Sequence, residues 1–123
     1  MSSRRILIVE DTALIAMDLA LQAREAGWDV VGPASQISAA QELAVRETLD
    51  AAILDVQVGR ELVTPVARVL RARGVPIVFG SGHMPCNLLP PDLQDAACIA
   101  KPFTFKDVER ALSSWVGAAS STD

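Results

Sequence analysis

The chain has 123 residues, the length of one domain, and 50% of them are hydrophobic, which is enough to bury a core. Acidic residues outnumber basic ones by 15 to 11, for a formal net charge of -4. This balance disfavours sequence-independent binding to nucleic acid, and no apolar run approaches the roughly 20 residues of a membrane span. The composition predicts one soluble, cytoplasmic domain without long disorder.

Short apolar runs along the chain predict five strands. Continuous runs of this kind are typical of strands that are buried on both faces, as in a parallel sheet. The three clearest runs, followed by two weaker ones, are residues 6–9, 51–54, 77–79, 30–31 and 97–99.

Helical spacing appears between these runs. Leu14, Met17 and Leu21 fall on one apolar stripe, which predicts the first helix. Thr104 with Asp107 three residues later predicts the start of the last helix. Segment 83–95 contains three prolines, so it predicts a short or irregular fourth helix.

The alternation of strand and helix predicts the architecture. Five such units imply right-handed crossovers and an α/β fold, with a parallel sheet covered by helices on both faces. We expect one domain with a core at about residues 5–116 and a flexible tail over 117–123.

Polar residues follow four of the five predicted strands. The carboxyl ends of parallel strands lie at one edge of the sheet, and ligands bind there. That edge should therefore carry an acid pair, a third acid, a hydroxyl next to a glycine, and an ammonium: Glu10, Asp11, Asp55, Ser81, Gly82 and Lys101.

The chemistry of this set predicts phosphoryl transfer. Carboxylates placed together raise one another's pKa, and a divalent cation such as Mg²⁺ resolves that conflict. Lys101 is suited to a phosphoryl oxygen, and Ser81 offers a hydroxyl donor. The nucleophile would be a carboxylate that forms an aspartyl phosphate.

The two cysteines, Cys86 and Cys98, are expected to be free thiols, as is usual in the cytoplasm. With His83 they could form an incomplete zinc-like set, but the spacing matches no common zinc pattern. We therefore favour ordinary loop and core roles for these three residues.

Four motifs in order, ILIVED, AAILDVQVG, IVFGSGH and AKPF, resemble the receiver domain of two-component response regulators. The resemblance extends over residues 6–116 and is greatest to stand-alone alphaproteobacterial receivers. It implies a flavodoxin-like three-layer sandwich, (βα)5, with strand order 2-1-3-4-5.

The resemblance also implies roles for individual residues. Asp55 would be the phosphoacceptor, and Mg²⁺ would be held by Glu10, Asp11, Asp55 and the backbone carbonyl of Gln57. Ser81, Gly82 and Lys101 would bind and sense the phosphoryl group, and the bond before Pro102 would be cis. Cys98 stands where the family usually has an aromatic switch residue, so switching would need another device.

By the same resemblance, the protein is a phosphorylated signalling domain rather than an enzyme. It would catalyse only its own phosphotransfer and slow dephosphorylation. The phosphodonor would be a sensor histidine kinase or a histidine phosphotransfer protein, and the output a downstream protein or a relay. No nucleic-acid or membrane partner is expected, and dimerisation is left open.

Two alternative functions remain at this stage. One is a receiver-like interaction module that works without phosphorylation. The other is an aspartyl-phosphate hydrolase of the haloacid dehalogenase type, which is disfavoured because Gln57 stands where those enzymes have a second Asp.

Overall fold

A computed structural model describes residues 4–82 and 85–120 of the chain, and side chains as far as residue 113. Strands and helices alternate along most of its length. In chain order they are β1 (Arg5–Val9), α1 (Ala13–Glu25), β2 (Asp29–Ala34), α2 (Ile37–Arg46), β3 (Ala51–Asp55), β4 (Gln57–Val58), β5 (Glu61–Leu62), α3 (Thr64–Ala72), β6 (Ile77–Ser81), β7 (Ala97–Ala100) and α4 (Phe105–Ser120).

The main sheet is parallel and has five strands in the order β2-β1-β3-β6-β7. The short antiparallel hairpin β4–β5 was not predicted, and it adds two strands to the numbering. Without the hairpin the order is 2-1-3-4-5, so the predicted doubly wound topology is confirmed.

Both faces of the sheet are covered, because side chains alternate along each buried strand. In β1, Ile6 and Ile8 pack on the side of α1 and α4, whereas Leu7 and Val9 pack on the side of α2 and α3. All four of these side chains are almost fully buried. The central strands β1 and β3 therefore have no solvent-facing side, and their polar chemistry is restricted to their ends.

The first helix does not bury its most apolar stripe. Its buried residues are Ala16, Leu19, Ala20 and Ala23. The stripe of Leu14, Met17 and Leu21 is exposed by 80%, 66% and 55%. A mostly alanine face therefore packs on the sheet, and three large apolar side chains face solvent.

The segment after β6 forms two 3₁₀ turns, Cys86–Leu88 and Pro91–Leu93, in place of an α-helix. This confirms the irregular fourth helix that the prolines predicted. Leu89 and Leu93 are buried and fix the segment to the core. His83, with its predicted loop role, lies outside the described residues.

The last helix begins with the predicted cap. The Thr104 N–H donates to Asp107 Oδ2 at 2.8 Å, and the Asp107 N–H donates to Thr104 Oγ1 at 3.3 Å. The helix runs past the predicted core limit at residue 116 to Ser120, and the division into core and tail stays a prediction. Within the described ranges, the helices are too short or too polar to cross a membrane.

Candidate functional site

Four parallel strands place their carboxyl ends at one edge of the sheet. Glu10 directly follows β1, Asp55 ends β3, Ser81 ends β6, and Lys101 directly follows β7. The Lys101 N–H donates to the Ser81 carbonyl at 2.8 Å, which holds the ends of β6 and β7 together. The predicted convergence of acid, hydroxyl and ammonium groups is thus observed.

Lys101 bridges two buried carboxylates. Its Nζ lies 2.7 Å from Glu10 Oε1 and 3.0 Å from Asp55 Oδ2. The side chains of Glu10 and Asp55 are 3% and 9% exposed, and that of Lys101 is 19% exposed. Charges with so little water around them require a partner, and each carboxylate has this ammonium.

Asp11 completes the acidic cluster from the solvent side. Its Oδ2 accepts a hydrogen bond from the Gly59 N–H at 2.9 Å, which anchors it to the turn between β4 and β5. Carboxylate oxygens of Glu10, Asp11 and Asp55 all lie within 4.8 Å of one another. Gln57 lines the same cleft from β4. The four residues predicted for a cation are therefore gathered in one place.

The environment changes the ionisation of this cluster. The pKa of Asp55 is raised to about 6. Burial is the largest cause, the hydrogen bond from Lys101 opposes it, and the charge of Glu10 adds to it. Burial also disfavours the charged form of Lys101, but hydrogen bonds to Glu10 and Asp55 outweigh it and raise the lysine pKa above its usual value. Burial likewise raises the pKa of Asp11, but the Gly59 N–H and its other hydrogen bonds outweigh it and bring that pKa below its usual value.

Gly82 lines the same cleft as Asp55 and Lys101. Ser81 is half-buried and Gly82 is exposed at the mouth of the cleft. The peptide bond between Lys101 and Pro102 is cis, as the resemblance to receiver domains implied. A Cβ added to Gly80 would lie 2.8 Å from the Phe103 ring, so this glycine allows the ring to pack over the end of β6.

The prediction of free thiols is wrong for the two cysteines, since Cys86 and Cys98 form a disulfide with a Cα–Cα distance of 6.5 Å. The prediction relied on the expected compartment, whereas the fold brings Cys86 of the segment that follows β6 to Cys98 of β7. Neither sulfur is a thiolate in this state, so the zinc-like set with His83 is not available as a metal site.

An apolar border along the cleft was missed by the sequence reasoning. Leu14 and Ile15 of α1 line the same opening as Asp11, Asp55 and Lys101. The available signal was the alanine content of the other face of α1, which fits close packing on a sheet. Helical spacing alone could not say which stripe faces the core.

Comparisons with known proteins agree on a family. The chain matches no protein-family model. It is 36% identical over 112 residues to the transcriptional regulatory protein PdtaR of Mycobacterium tuberculosis, a match that covers 89% of this chain. The chain spans 55% of the length of PdtaR, so it corresponds to about half of that curated relative.

Solved structures match over nearly the whole chain. SdrG of Sphingomonas melonis is 37% identical with a TM-score of 0.80, and 94% of this chain covers 99% of it. A response regulator receiver protein of Sinorhizobium medicae is 26% identical with a TM-score of 0.82, over 95% of this chain and 97% of that one. The receiver domain of the Pseudomonas aeruginosa sensor kinase PA1611, with magnesium in its active site cleft, is 27% identical with a TM-score of 0.73, over 94% and 99%.

The sequence motifs, the strand order and the charged cluster indicate the same family as these relatives do. The expectation from the motifs is thereby confirmed at the level of the family. The chain belongs to the receiver domain family of two-component response regulators.

Proposed function

We propose that Asp55 accepts a phosphoryl group from a phosphohistidine, and that the protein signals through the resulting change at its surface. The observation that carries this proposal is the position of Asp55 at the end of β3, with Lys101 Nζ 3.0 Å from its Oδ2. An acceptor oxygen thus lies next to a cation that can neutralise an incoming phosphoryl group.

In the proposed reaction an Asp55 carboxylate oxygen attacks the phosphorus atom. The new O–P bond forms as the P–N bond to the donor imidazole breaks, and the imidazole leaves with that electron pair and takes a proton. Asp55 must be ionised to attack, and with its pKa at about 6 it is mostly ionised at neutral pH. Its burial leaves the carboxylate poorly hydrated, so little water must be removed before attack.

The cluster also fits a magnesium ion. Glu10, Asp11 and Asp55 offer hard oxygen ligands, and Lys101 is the ammonium that pairs with two of them. The backbone carbonyl of Gln57 is the further ligand, which we propose because the resemblance to receiver domains implies it. When bound, Mg²⁺ would neutralise the phosphoryl oxygens during transfer. The magnesium in the cleft of the PA1611 receiver supports this assignment.

Ser81, Gly82 and Lys101 are the proposed phosphate partners. Ser81 Oγ would donate to one phosphoryl oxygen, Lys101 Nζ would pair with another, and Gly82 would leave space beside them. These contacts exist only in the phosphorylated form, so they shift the population towards a second conformation of the segment between β6 and α4. Cys98 stands in this segment at the position where the family usually places an aromatic residue.

The phosphodonor is proposed to be a histidine kinase or a histidine phosphotransfer protein that docks along α1. Leu14, Met17 and Leu21 form an exposed apolar stripe on this helix, and Leu14 also lines the cleft above Asp55. An apolar surface at the mouth of the site would let the donor place its phosphohistidine over Asp55. The downstream partner, the stand-alone character and the cytoplasmic location stay predictions.

Labelling with a small phosphodonor tests this proposal. Wild-type protein with Mg²⁺ should incorporate one phosphoryl group, and Asp55→Asn should incorporate none. Asp92→Asn is the matched control, because Asp92 is an exposed aspartate in a 3₁₀ turn outside the cleft. Absence of incorporation in wild type, or equal incorporation in Asp55→Asn, would favour an interaction module that works without phosphorylation.

A further inference from the structure

We propose that the Cys86–Cys98 disulfide is a redox site that a dithiol opens, and that its state alters how phosphorylation at Asp55 changes the adjacent segment. This inference rests on the proposed function. It adds a modification site of defined chemistry, thiol–disulfide exchange, at a position that the phosphotransfer reaction does not use.

The disulfide connects the two sides of the proposed switch. Cys86 comes five positions after Ser81, and Cys98 comes three positions before Lys101. Ser81 and Lys101 are the proposed phosphate partners, and a backbone hydrogen bond of 2.8 Å already joins them. The cross-link therefore closes the stretch of chain that must move when these two residues engage a phosphoryl group.

Leu89 and Leu93 hold the middle of this stretch to the core, whereas its ion pairs are exposed. Arg71 and Asp95 form an ion pair at 2.7 Å, and Arg68 and Asp92 form one at 3.3 Å, but all four side chains are at least 41% exposed. Exposed ion pairs contribute little to stability. The segment has only two 3₁₀ turns of three residues each. The disulfide adds a covalent cross-link between the two flanks of this stretch, and removing it should allow larger movement of those flanks.

Both cysteines of the disulfide are at least partly exposed to solvent. Cys98 lies on β7, the edge strand of the sheet, and is exposed, whereas Cys86 is half-buried. Attack by an external thiolate requires such access. A deeply buried disulfide would lack this access, so the exposure of this pair favours exchange.

The exchange is balanced as follows. A thiolate of a dithiol reductant attacks one sulfur, the S–S bond breaks, and one cysteine leaves as a thiolate that takes a proton. The second thiol of the reductant then attacks the mixed disulfide and releases the other cysteine. The protein disulfide gains two electrons and two protons, and the reductant becomes a disulfide. A low-molecular-weight disulfide reverses both steps.

Coupling between the two sites must be reciprocal. If reduction changes the affinity of the switch for a phosphoryl group by some factor, phosphorylation changes the thiol–disulfide equilibrium by the same factor. Beryllofluoride, which mimics a phosphoryl group on a carboxylate, makes both sides of this relation measurable.

The test titrates beryllofluoride in the presence of Mg²⁺ into disulfide-bonded and dithiol-reduced protein and follows amide NMR shifts. We expect the apparent affinities to differ by about fivefold or more. In a dithiol/disulfide redox buffer, beryllofluoride should shift the ratio of oxidised to reduced protein by the same factor. The Cys86→Ser/Cys98→Ser double variant should bind equally with and without dithiol, and reduced, alkylated wild type replaces it should the variant not fold.

Three results would overturn the inference. A disulfide that resists a dithiol in the folded protein is not a redox site. Equal beryllofluoride affinities in the oxidised and reduced protein would exclude the coupling to phosphorylation but leave the proposed function intact. Failure of beryllofluoride to bind in either state would instead overturn the proposed function, and the coupling with it.

Discussion

Lys101 Nζ lies 3.0 Å from Asp55 Oδ2, which places the cation of the site directly against the proposed acceptor oxygen. The same ammonium contacts Glu10, so one charge compensates two buried carboxylates before any phosphoryl group or metal is bound. Stability and reactivity of the site are therefore linked through this lysine.

Removing the ammonium should destabilise the metal-free protein. Lys101→Met leaves Glu10 and Asp55 buried without a cation, and we expect a loss of about 2 kcal/mol in the free energy of unfolding. Mg²⁺ should stabilise this variant more than wild type, because the acidic cluster then lacks its competing cation. Urea denaturation with and without Mg²⁺ measures both effects. The exposed Lys106 on α4 provides the control, Lys106→Met, for which neither change is expected.

The raised pKa of Asp55 predicts that the free energy of unfolding falls as this carboxylate becomes ionised. Its folded pKa is about 6 and its ordinary value is 3.8, so metal-free folded protein holds this proton more tightly than the unfolded chain does. The free energy of unfolding of wild type relative to Asp55→Asn should therefore fall as the pH rises from about 4 to about 6, and then level off. Denaturation curves of both proteins across this range provide the measurement. A difference that does not change with pH would contradict the raised pKa.

A charge on the exposed stripe of α1 should block the protein donor alone. Met17→Lys, at a residue that is 66% exposed, should slow phosphotransfer from a phosphorylated histidine phosphotransfer protein by about tenfold or more. Its labelling by a small phosphodonor should stay at the wild-type rate, since Asp55 is unchanged.

The matched control for this stripe is Val45→Lys. Val45 is 64% exposed but belongs to α2, which packs on the other face of the sheet. Equal slowing by both substitutions would remove the assignment of α1 as the docking helix.

The reciprocal cap of α4 should contribute measurably to stability. Thr104→Ala removes the hydroxyl that accepts the Asp107 N–H, and we expect a loss of about 1 kcal/mol. The Thr104 N–H lowers the pKa of Asp107, so the contribution of this carboxylate is present above its unfolded pKa and is lost as the pH falls through its folded pKa. Ser113→Ala, at an exposed serine later in the same helix, should have little effect in the same thermal or urea unfolding experiment.

The site was largely predictable because residues that directly follow the strands of a parallel sheet lie together at one edge of that sheet. Asp55 and Lys101 are 46 residues apart, yet each stands at the end of an apolar run that forms a strand of the same parallel sheet, β3 and β7 on either side of β6. Strands buried on both faces leave only their ends for polar groups, and all parallel strands present the same end to one edge. The prolines after Ser81 were similarly direct, since they exclude a regular helix.

Features that depend on packing between elements were not predictable in this way. The orientation of α1 depends on alanines that fit closely against the sheet, although larger apolar residues stand at equally good helical spacing. The Cys86–Cys98 bond depends on how a segment without regular helix folds back along β7, and neither spacing nor composition determines that path. The hairpin β4–β5 involves two residues per strand, too few for a periodic signal.

The most direct measurement of the central claim locates the phosphoryl group in the chain. Protein labelled by a small phosphodonor in Mg²⁺ is treated with borohydride, which reduces an aspartyl phosphate to homoserine, and its peptides are sequenced by mass spectrometry. We predict homoserine at position 55 and at no other aspartate, with none formed in Asp55→Asn. Homoserine at another position, or an unmodified Asp55 in protein that carries phosphate, would contradict the account.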